Sequence, residues 1–318
     1  MIYKNLLDAV GNTPILKLEL AKLGNINLFV KLEGYNPTGS VKDRAASYIL
    51  RKILSTGEIN NETIIIESSS GNFGISLASY CKKFNLQFYC IIDKNISSEN
   101  EMLIRNLTNH VFKIKEVDKN GGYLLNRIKK VKELKSKIKN SYWINQYSNP
   151  YNANAYYETL GLEICSDFKN IDYVFVAVSS SGTITGVSQR VKELFPSAKI
   201  IAVDVDGSVI FGGTPKKRFV PGIGSSMVPD LLKDAKIDEI VTVSEKSSIE
   251  MCHLLLEEYA LFAGGSSGSL LSAIYTYFKD KKLNSVPNVI TIFADRGDRY
   301  LTNIYNKKWC EDNFQIKK

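Results

Sequence analysis

The sequence predicts an α/β fold of two domains, each a mostly parallel, twisted sheet flanked by helices. Three observations carry this. Short β-branched runs alternate with stretches of helical periodicity along the chain. Several of those runs are apolar nearly throughout, as in Val174-Phe175-Val176-Ala177-Val178, which marks a strand covered on both faces. The alternation breaks over 145–154, where Asn, Ser, Pro and Tyr replace the periodic pattern. One sheet on each side of that break leaves a ligand cleft between them, at the carboxyl ends of strands.

In chain order, strands are predicted at 27–32, 63–67, 87–92, 112–115, 173–179, 199–205, 239–243 and 288–293. Helices are predicted near 43–55, 73–84, 98–111, 121–139, 153–168, 184–195, 247–258 and 267–279. Ser98-Glu99-Asn100-Glu101 reads as a capping box opening the third helix. Leu124, Ile128, Val131, Leu134 and Ile138 recur at helical spacing through the fourth. No internal repeat and no low-complexity linker interrupts the series.

Composition excludes several classes. The chain has 318 residues, a formal charge of +8 and 44% hydrophobic residues, ample for a core and unlike a disordered chain. No apolar run approaches the ~18 residues of a membrane span. The start, Met1-Ile2-Tyr3-Lys4-Asn5, lacks the long apolar stretch of a signal peptide, so a cytoplasmic location is expected. Five cysteines, at 81, 90, 165, 252 and 310, form no C-x-x-C pair and read as buried free thiols rather than disulfides or zinc ligands. His110 and His253 are the only histidines, too few for a multi-His metal site, and a Ser-His-Asp hydrolase is poorly supplied. The basic run Arg127, Lys129, Lys130, Lys132, Lys135, Lys137 and Lys139, relieved only by Glu133, reads as the solvated back of the fourth helix rather than a nucleic-acid surface.

Four loops are rich in Gly, Ser, Thr and Asn. Asn36-Pro37-Thr38-Gly39-Ser40-Val41-Lys42-Asp43-Arg44 puts a lysine at the mouth of a helix. The positive end of the helix dipole disfavours its cation, and desolvation would leave a neutral, nucleophilic amine. Ser68-Ser69-Ser70-Gly71-Asn72-Phe73-Gly74 offers hydroxyls and N–H groups to a carboxylate or phosphate, beyond what helix capping requires. Ser179-Ser180-Ser181-Gly182-Thr183-Ile184-Thr185-Gly186 follows a buried strand and opens a helix, the form of a phosphate cradle. It lacks the lysine of a nucleotide-triphosphatase loop. Gly264-Gly265-Ser266-Ser267-Gly268-Ser269 opens another helix. Each loop alone is weak evidence; the four together, with one lysine, are specific.

These four loops, in this order, resemble those of the fold-type II pyridoxal-phosphate enzymes, the cysteine synthase and cystathionine β-synthase family. The likeness runs from Leu6-Leu7-Asp8-Ala9-Val10-Gly11-Asn12-Thr13-Pro14 to Asp295-Arg296-Gly297-Asp298-Arg299-Tyr300-Leu301. It implies a tryptophan synthase β-like fold and pyridoxal 5'-phosphate as cofactor. A smaller mobile domain would comprise residues 1–12 and 36–148. A larger, phosphate-binding domain would comprise 13–35 and 149–318. The resemblance makes Lys42 the Schiff-base lysine and puts Asn72 at the cofactor's phenolic oxygen. Ser179, Ser180, Ser181, Gly182 and Thr183 would hold its phosphate, and Ser266 would sit at the pyridine nitrogen. A serine hydroxyl does not keep that nitrogen protonated as a carboxylate would. The ring is then a weaker electron sink, which suits β-elimination better than transamination.

Other stretches resemble the 2,3-diaminopropionate-pathway synthases within this family. They are Gly121-Gly122-Tyr123-Leu124 with Arg127, Tyr142-Trp143-Ile144-Asn145-Gln146-Tyr147, Gly207-Ser208-Val209-Ile210-Phe211-Gly212 and Arg218-Phe219-Val220-Pro221-Gly222-Ile223-Gly224, with Asp298-Arg299-Tyr300-Leu301. Such enzymes join O-phospho-L-serine to L-glutamate, giving N-(2-amino-2-carboxyethyl)-L-glutamate for siderophores such as staphyloferrin B. Ser69, Ser70, Gly71, Phe73 and Gln146 would then bind the donor. Arg127 and Arg218 are candidates for its phosphate, each against the alternative of a surface salt bridge. Tyr147 would shape the second-substrate site, or simply pack.

The chain departs from cysteine synthases in two places. Serines replace most of their Gly-Thr-Gly-Gly-Thr phosphate loop, and Phe73 replaces a threonine, leaving only a backbone N–H at that point. Cysteine synthesis with sulfide is the alternative reaction, and a serine or threonine dehydratase comes third. A catalytically idle partner-binding relative and a basic nucleic-acid binder are the non-enzyme alternatives. A homodimer is expected from the family; no metal, membrane or nucleic-acid partner is.

Overall fold

A computed structural model describes residues 2–20, 25–118 and 122–316. Gly121, in one of the stretches singled out above, lies outside the described residues.

The first half of the chain opens with β1 (Ile15–Leu18), β2 (Asn27–Leu32), α1 (Lys42–Ser55), β3 (Ile64–Ser68) and α2 (Asn72–Lys83). It continues with β4 (Phe88–Asp93), α3 (Ser98–Leu107), β5 (His110–Ile114), α4 (Leu124–Lys137) and β6 (Ser141–Trp143). The second half holds α5 (Pro150–Ala155), α6 (Leu162–Asp167), β7 (Tyr173–Ala177), α7 (Gly182–Leu194) and β8 (Lys199–Val205). It ends with β9 (Glu239–Val243), α8 (Glu245–Tyr259), α9 (Gly265–Phe278), β10 (Asn288–Phe293) and α10 (Lys307–Phe314).

The strands form two sheets, in the order β1-β2-β10-β7-β8-β9 and β5-β4-β3-β6. Every pairing is parallel except β1 with β2. This is the two-domain α/β architecture that the alternating pattern predicts. It explains why the strands are apolar on both faces: β-α-β crossovers cover both sides of a parallel sheet.

The structure corrects several boundaries. The third helix ends at Leu107, and His110 already begins β5. Its cap is Ser97, not Ser98: the Ser97 hydroxyl accepts the Asn100 N–H at 3.2 Å. The helix predicted over 153–168 starts at Pro150, capped by Asn149, and passes through a π-helical segment, Tyr156–Gly161. Strands β1 and β6 and helix α10 add to the predicted elements. In α4, Val131 and Leu134 are buried against Ile66 and Ile91, while Lys129, Lys132, Lys135 and Lys137, with Lys139 just beyond its end, face solvent. Apart from Arg127, which turns inward to Asp93, and the half-buried Lys130, the basic run is thus the outer face of an amphipathic helix.

A buried ion network binds α1 to the larger sheet. The Arg44 guanidinium grips Glu33 through Nε at 2.6 Å and Nη2 at 2.8 Å. It also grips Glu163 of α6 through Nη1 at 2.6 Å and Nη2 at 2.7 Å. Lys31 of β2 reaches the same Glu163 at 2.9 Å. Two bidentate pairs fix a planar fork in one orientation, and with it the register of the helix that begins at Lys42.

Candidate active site

The loops after β2, β3, β7 and β10 meet at the carboxyl ends of those strands, where α/β sheets hold ligands. The lysine loop is shaped by its own sequence. Gly39 takes a left-handed φ of 86°. Asp43 accepts the Thr38 N–H at 2.6 Å and also its hydroxyl, which folds the loop back on the helix start. Val41 N–H donates to the Ala294 carbonyl at 2.8 Å, and Ser40 pairs with Asp295, so the loop is stitched to the end of β10. Lys42 is the first residue of α1. Burial lowers its amine to about 8, opposed by the Asp295 carboxylate.

One cavity is lined by Lys42, Ser179, Ser180, Ser181, Thr183 and Ser266 among others. Gly182 begins α7 directly behind it. The Ser179 hydroxyl donates to the Gly224 carbonyl at 3.1 Å. The hydroxyls of Ser180 and Ser181 are buried without a hydrogen-bond partner. Unpaired buried hydroxyls at a helix N-terminus are costly unless a ligand satisfies them, and a phosphate would do so. Ser181 holds a left-handed φ of 68°, a conformation a serine adopts under strain. Ser266 lies buried on the same cavity, at the start of α9. A lysine of lowered proton affinity, a hydroxyl-lined helix terminus and a buried serine in one cavity fit pyridoxal 5'-phosphate.

Asn72 does not line this cavity, and its side chain is tied at both ends. Its amide donates to Asp295 Oδ2 at 2.6 Å, and its carbonyl oxygen accepts from Arg299. Asp295 also accepts from the Tyr300 hydroxyl at 2.5 Å, while its Oδ1 is buried and unpartnered.

The remaining candidates divide. The Ser69 hydroxyl accepts the Gly74 N–H at 3.0 Å and so caps α2, whose first turn begins after Gly71. The Phe73 side chain is buried in the main apolar core, and the Ser68 hydroxyl is buried without a partner. Ser70 donates to Asp93 Oδ2 at 2.9 Å and accepts from Arg127 Nη1 at 3.0 Å. Arg127 also pairs with Asp93 at 3.1 Å, and its Nε is buried and unpartnered. The Gln146 amide donates to the Ser68 carbonyl at 3.3 Å, joining that segment to the Ser-Gly-Asn loop. Tyr147 stands where the charges of both Arg127 and Arg218 act on its hydroxyl, which burial pushes upward in proton affinity. Arg218 itself donates to the Gly207 and Ser225 carbonyls, at 2.7 and 3.2 Å, and to the Ser226 hydroxyl at 3.3 Å. It braces its own loop.

Asp295, Glu67 and Asp93 gained no role from the sequence. All three share one signal: a lone acid at the carboxyl end of an apolar strand, where burying a carboxylate needs a reason.

Known proteins match this chain in family and fold. The family described as "Pyridoxal-phosphate dependent enzyme" matches residues 6–295. An O-acetylserine-dependent cystathionine beta-synthase from Helicobacter pylori has a similar structure, with a TM-score of 0.87 and 33% identity over 96% of this chain and 100% of that one. A hydrogen sulfide-producing enzyme from Fusobacterium nucleatum has a TM-score of 0.87 and 27% identity, over 94% of this chain and 100% of that one. An O-ureido-L-serine synthase has a TM-score of 0.87 and 26% identity, over 99% of this chain and 96% of that one.

Proposed function

The chain belongs to the pyridoxal-phosphate-dependent enzymes, among their cysteine synthase-like β-replacement members, and from that premise we propose that it replaces the phosphate of O-phospho-L-serine with the amine of L-glutamate. The product would be N-(2-amino-2-carboxyethyl)-L-glutamate, a precursor of 2,3-diaminopropionate. The enzyme would be a transferase, working as a homodimer in the cytoplasm. The division into a mobile part, 1–12 with 36–148, and a fixed part belongs to the same proposal; its support is that β3 to β6 form one sheet while β1, β2 and β7 to β10 form the other.

The cofactor, when bound, supplies the electron sink that makes loss of a β-substituent from an amino acid feasible. The protein residues do the rest. Ser179, Ser180, Ser181, Gly182 and Thr183 would hold the cofactor's phosphate, Asn72 its phenolic oxygen and Ser266 its ring nitrogen. N–H groups and hydroxyls of the Ser69–Phe73 loop, with Gln146, would bind the donor's carboxylate. The Lys42 amine would remove the α-proton and later return it; a group held near 8 is poised for both transfers. Closure of the smaller domain would exclude water from the reacting atoms.

The observation that carries the choice of substrates is Arg127. Its guanidinium stands beside the donor loop with Nε unpartnered, next to Tyr147. Sulfide needs no such donor; a departing phosphate or a dicarboxylate nucleophile does. Arg218 is the weaker candidate because its Nη atoms already serve its own loop. Arg127→Lys keeps a cation for Asp93 and removes the planar fork. The variant should raise KM for glutamate about tenfold, ~1.4 kcal/mol of lost binding, with KM for sulfide unchanged in a parallel assay. Equal effects on both nucleophiles would remove Arg127 from the glutamate site.

A further inference from the structure

Glu67 is a deeply buried acid to which the mechanism gives no role. Glu67 lies on β3 after Ile64, Ile65 and Ile66, and is 1% exposed. Among the described residues no lysine or arginine forms an ion pair with it. Its partners are backbone N–H groups from two separate segments. Oε1 accepts the N–H of Ser68 at 2.7 Å, the residue that leads into the donor loop. Oε2 accepts the N–H of Gln146 at 3.3 Å, and the Asn145 N–H also points to the carboxylate.

Asn145 carries a left-handed φ of 52°, so the chain between β6 and α5 is bent under strain where it meets Glu67. The Gln146 amide returns to the Ser68 carbonyl at 3.3 Å, and the Asn152 amide holds the Gln146 carbonyl at 2.6 Å. One carboxylate therefore sits at the junction of the two segments to which donor binding is assigned.

We propose that Glu67 is a positioning residue: its ionised carboxylate holds the donor loop and the Asn145–Gln146 segment in one register, so that both reach the donor's α-carboxylate together. This rests on the reading that those two segments bind that carboxylate. The chemistry follows from donor and acceptor counts. An ionised carboxylate accepts from both sides. A protonated one turns an oxygen into a donor facing another donor, and one side is released.

Among the described residues, the titratable or charged groups that face Glu67 are Arg127 from α4, Cys90 from β4 and Tyr147 from the segment after β6. Burial pushes the Cys90 thiol up to about 12 and raises Tyr147, so both are neutral near neutrality. Burial pushes Glu67 itself up to about 7, with Arg127 and the backbone donors opposing. The ionised form is thus present above about 7 and is lost as pH falls through it, and donor affinity should fall with it.

The test is binding of L-alanine to the holoenzyme, read by the visible absorbance of the cofactor from pH 8 to 6. L-Alanine has the α-carboxylate but no leaving group and no phosphate to titrate. If the protonated form binds about tenfold more weakly, Kd of the wild type rises about fivefold over that range beyond the rise shared with Glu67→Gln, which comes from the ligand's amine. Glu67→Gln should bind about tenfold more weakly at pH 8, with cofactor absorbance and kcat near wild type. Glu67→Asp should recover the extra pH dependence. Equal pH profiles in wild type and Glu67→Gln overturn the proposal.

A second measurement needs no variant. Amide exchange in the wild-type holoenzyme, corrected for intrinsic pH dependence, should show one of the Gln146 and Ser68 N–H groups, the released side, losing protection from pH 8 to 6. The Ile144 N–H, bonded to the Ile66 carbonyl at 3.1 Å, should keep its own. Uniform protection across all three would overturn the proposal even if Glu67→Gln fails to fold. A wild type whose cofactor absorbance ignores L-alanine and O-phospho-L-serine alike would refute the donor-loop reading, and the proposal with it.

Discussion

The Asp295 carboxylate faces the Lys42 amine across the seam where the lysine loop pairs with the end of β10. Burial disfavours the lysine's charge, and Asp295 favours it. The outcome, about 8, leaves the amine part neutral at physiological pH. Asp295 is itself pushed upward by burial and held by Tyr300 and Asn72.

Removing the Asp295 charge should therefore lower the lysine further. In cofactor-free protein, the rate of Lys42 acetylation followed by peptide mapping should reach half its maximum near pH 8. In Asp295→Asn the midpoint should move down by roughly one unit, about 1.4 kcal/mol of lost attraction. A midpoint that stays put or rises would show that Asp295 does not act on the amine.

Ser181 offers a separation of strain from ligand binding. Its left-handed φ of 68° suits glycine, while its hydroxyl is unpartnered on the cavity. Ser181→Gly should stabilise the cofactor-free protein by about 1 kcal/mol in denaturant unfolding. Ser181→Ala sheds the same unpaired hydroxyl but keeps the strained backbone, and should fall short of Ser181→Gly by about 1 kcal/mol. Both should weaken pyridoxal-phosphate retention, measured by dialysis, because both lose the hydroxyl. Equal stability of the two variants would remove strain from the account.

The Arg44 network makes a stability prediction with a sign. Arg44→Met leaves Glu33 and Glu163 without their guanidinium and should cost about 3–5 kcal/mol. Burial raises the Glu163 carboxyl, but Arg44, the Asn12 N–H and Lys31 outweigh it and hold it at about 2. A carboxyl lowered in the folded state stabilises above its unfolded value and loses that contribution as pH falls toward about 2. Stability should thus decline from pH 4.5 to 2 in urea titrations of the wild type, with a shallower slope in Glu163→Gln. Parallel slopes would contradict the assignment.

How much of this was readable in the sequence depends on what each residue's signal was made of. Strands of five or more apolar residues, such as β7 and β8, announce themselves through composition. Strands β1 and β6 have four and three residues, too few for a period to register. Ser97 and Ser98 are adjacent and chemically alike, so only geometry tells which one caps α3. The four small-residue loops carried the expectation of a cofactor site because their chemistry is local to each loop. Glu67, Asp93 and Asp295 were silent because their meaning lies in partners far along the chain, as Asn72 is to Asp295. Arg218 shows the converse: a guanidinium suited to an anion in sequence, whose Nη atoms the fold engages with its own loop.

The central claim is the pairing of donor and nucleophile, and product identity tests it most directly. Purified holoenzyme would receive O-phospho-L-serine with equal L-glutamate and sulfide, and the products would be read by mass spectrometry. The account predicts that the glutamate adduct dominates, with phosphate released in equal amount. Dominant cysteine would contradict it and make the chain a cysteine synthase acting through the same lysine and the same four loops.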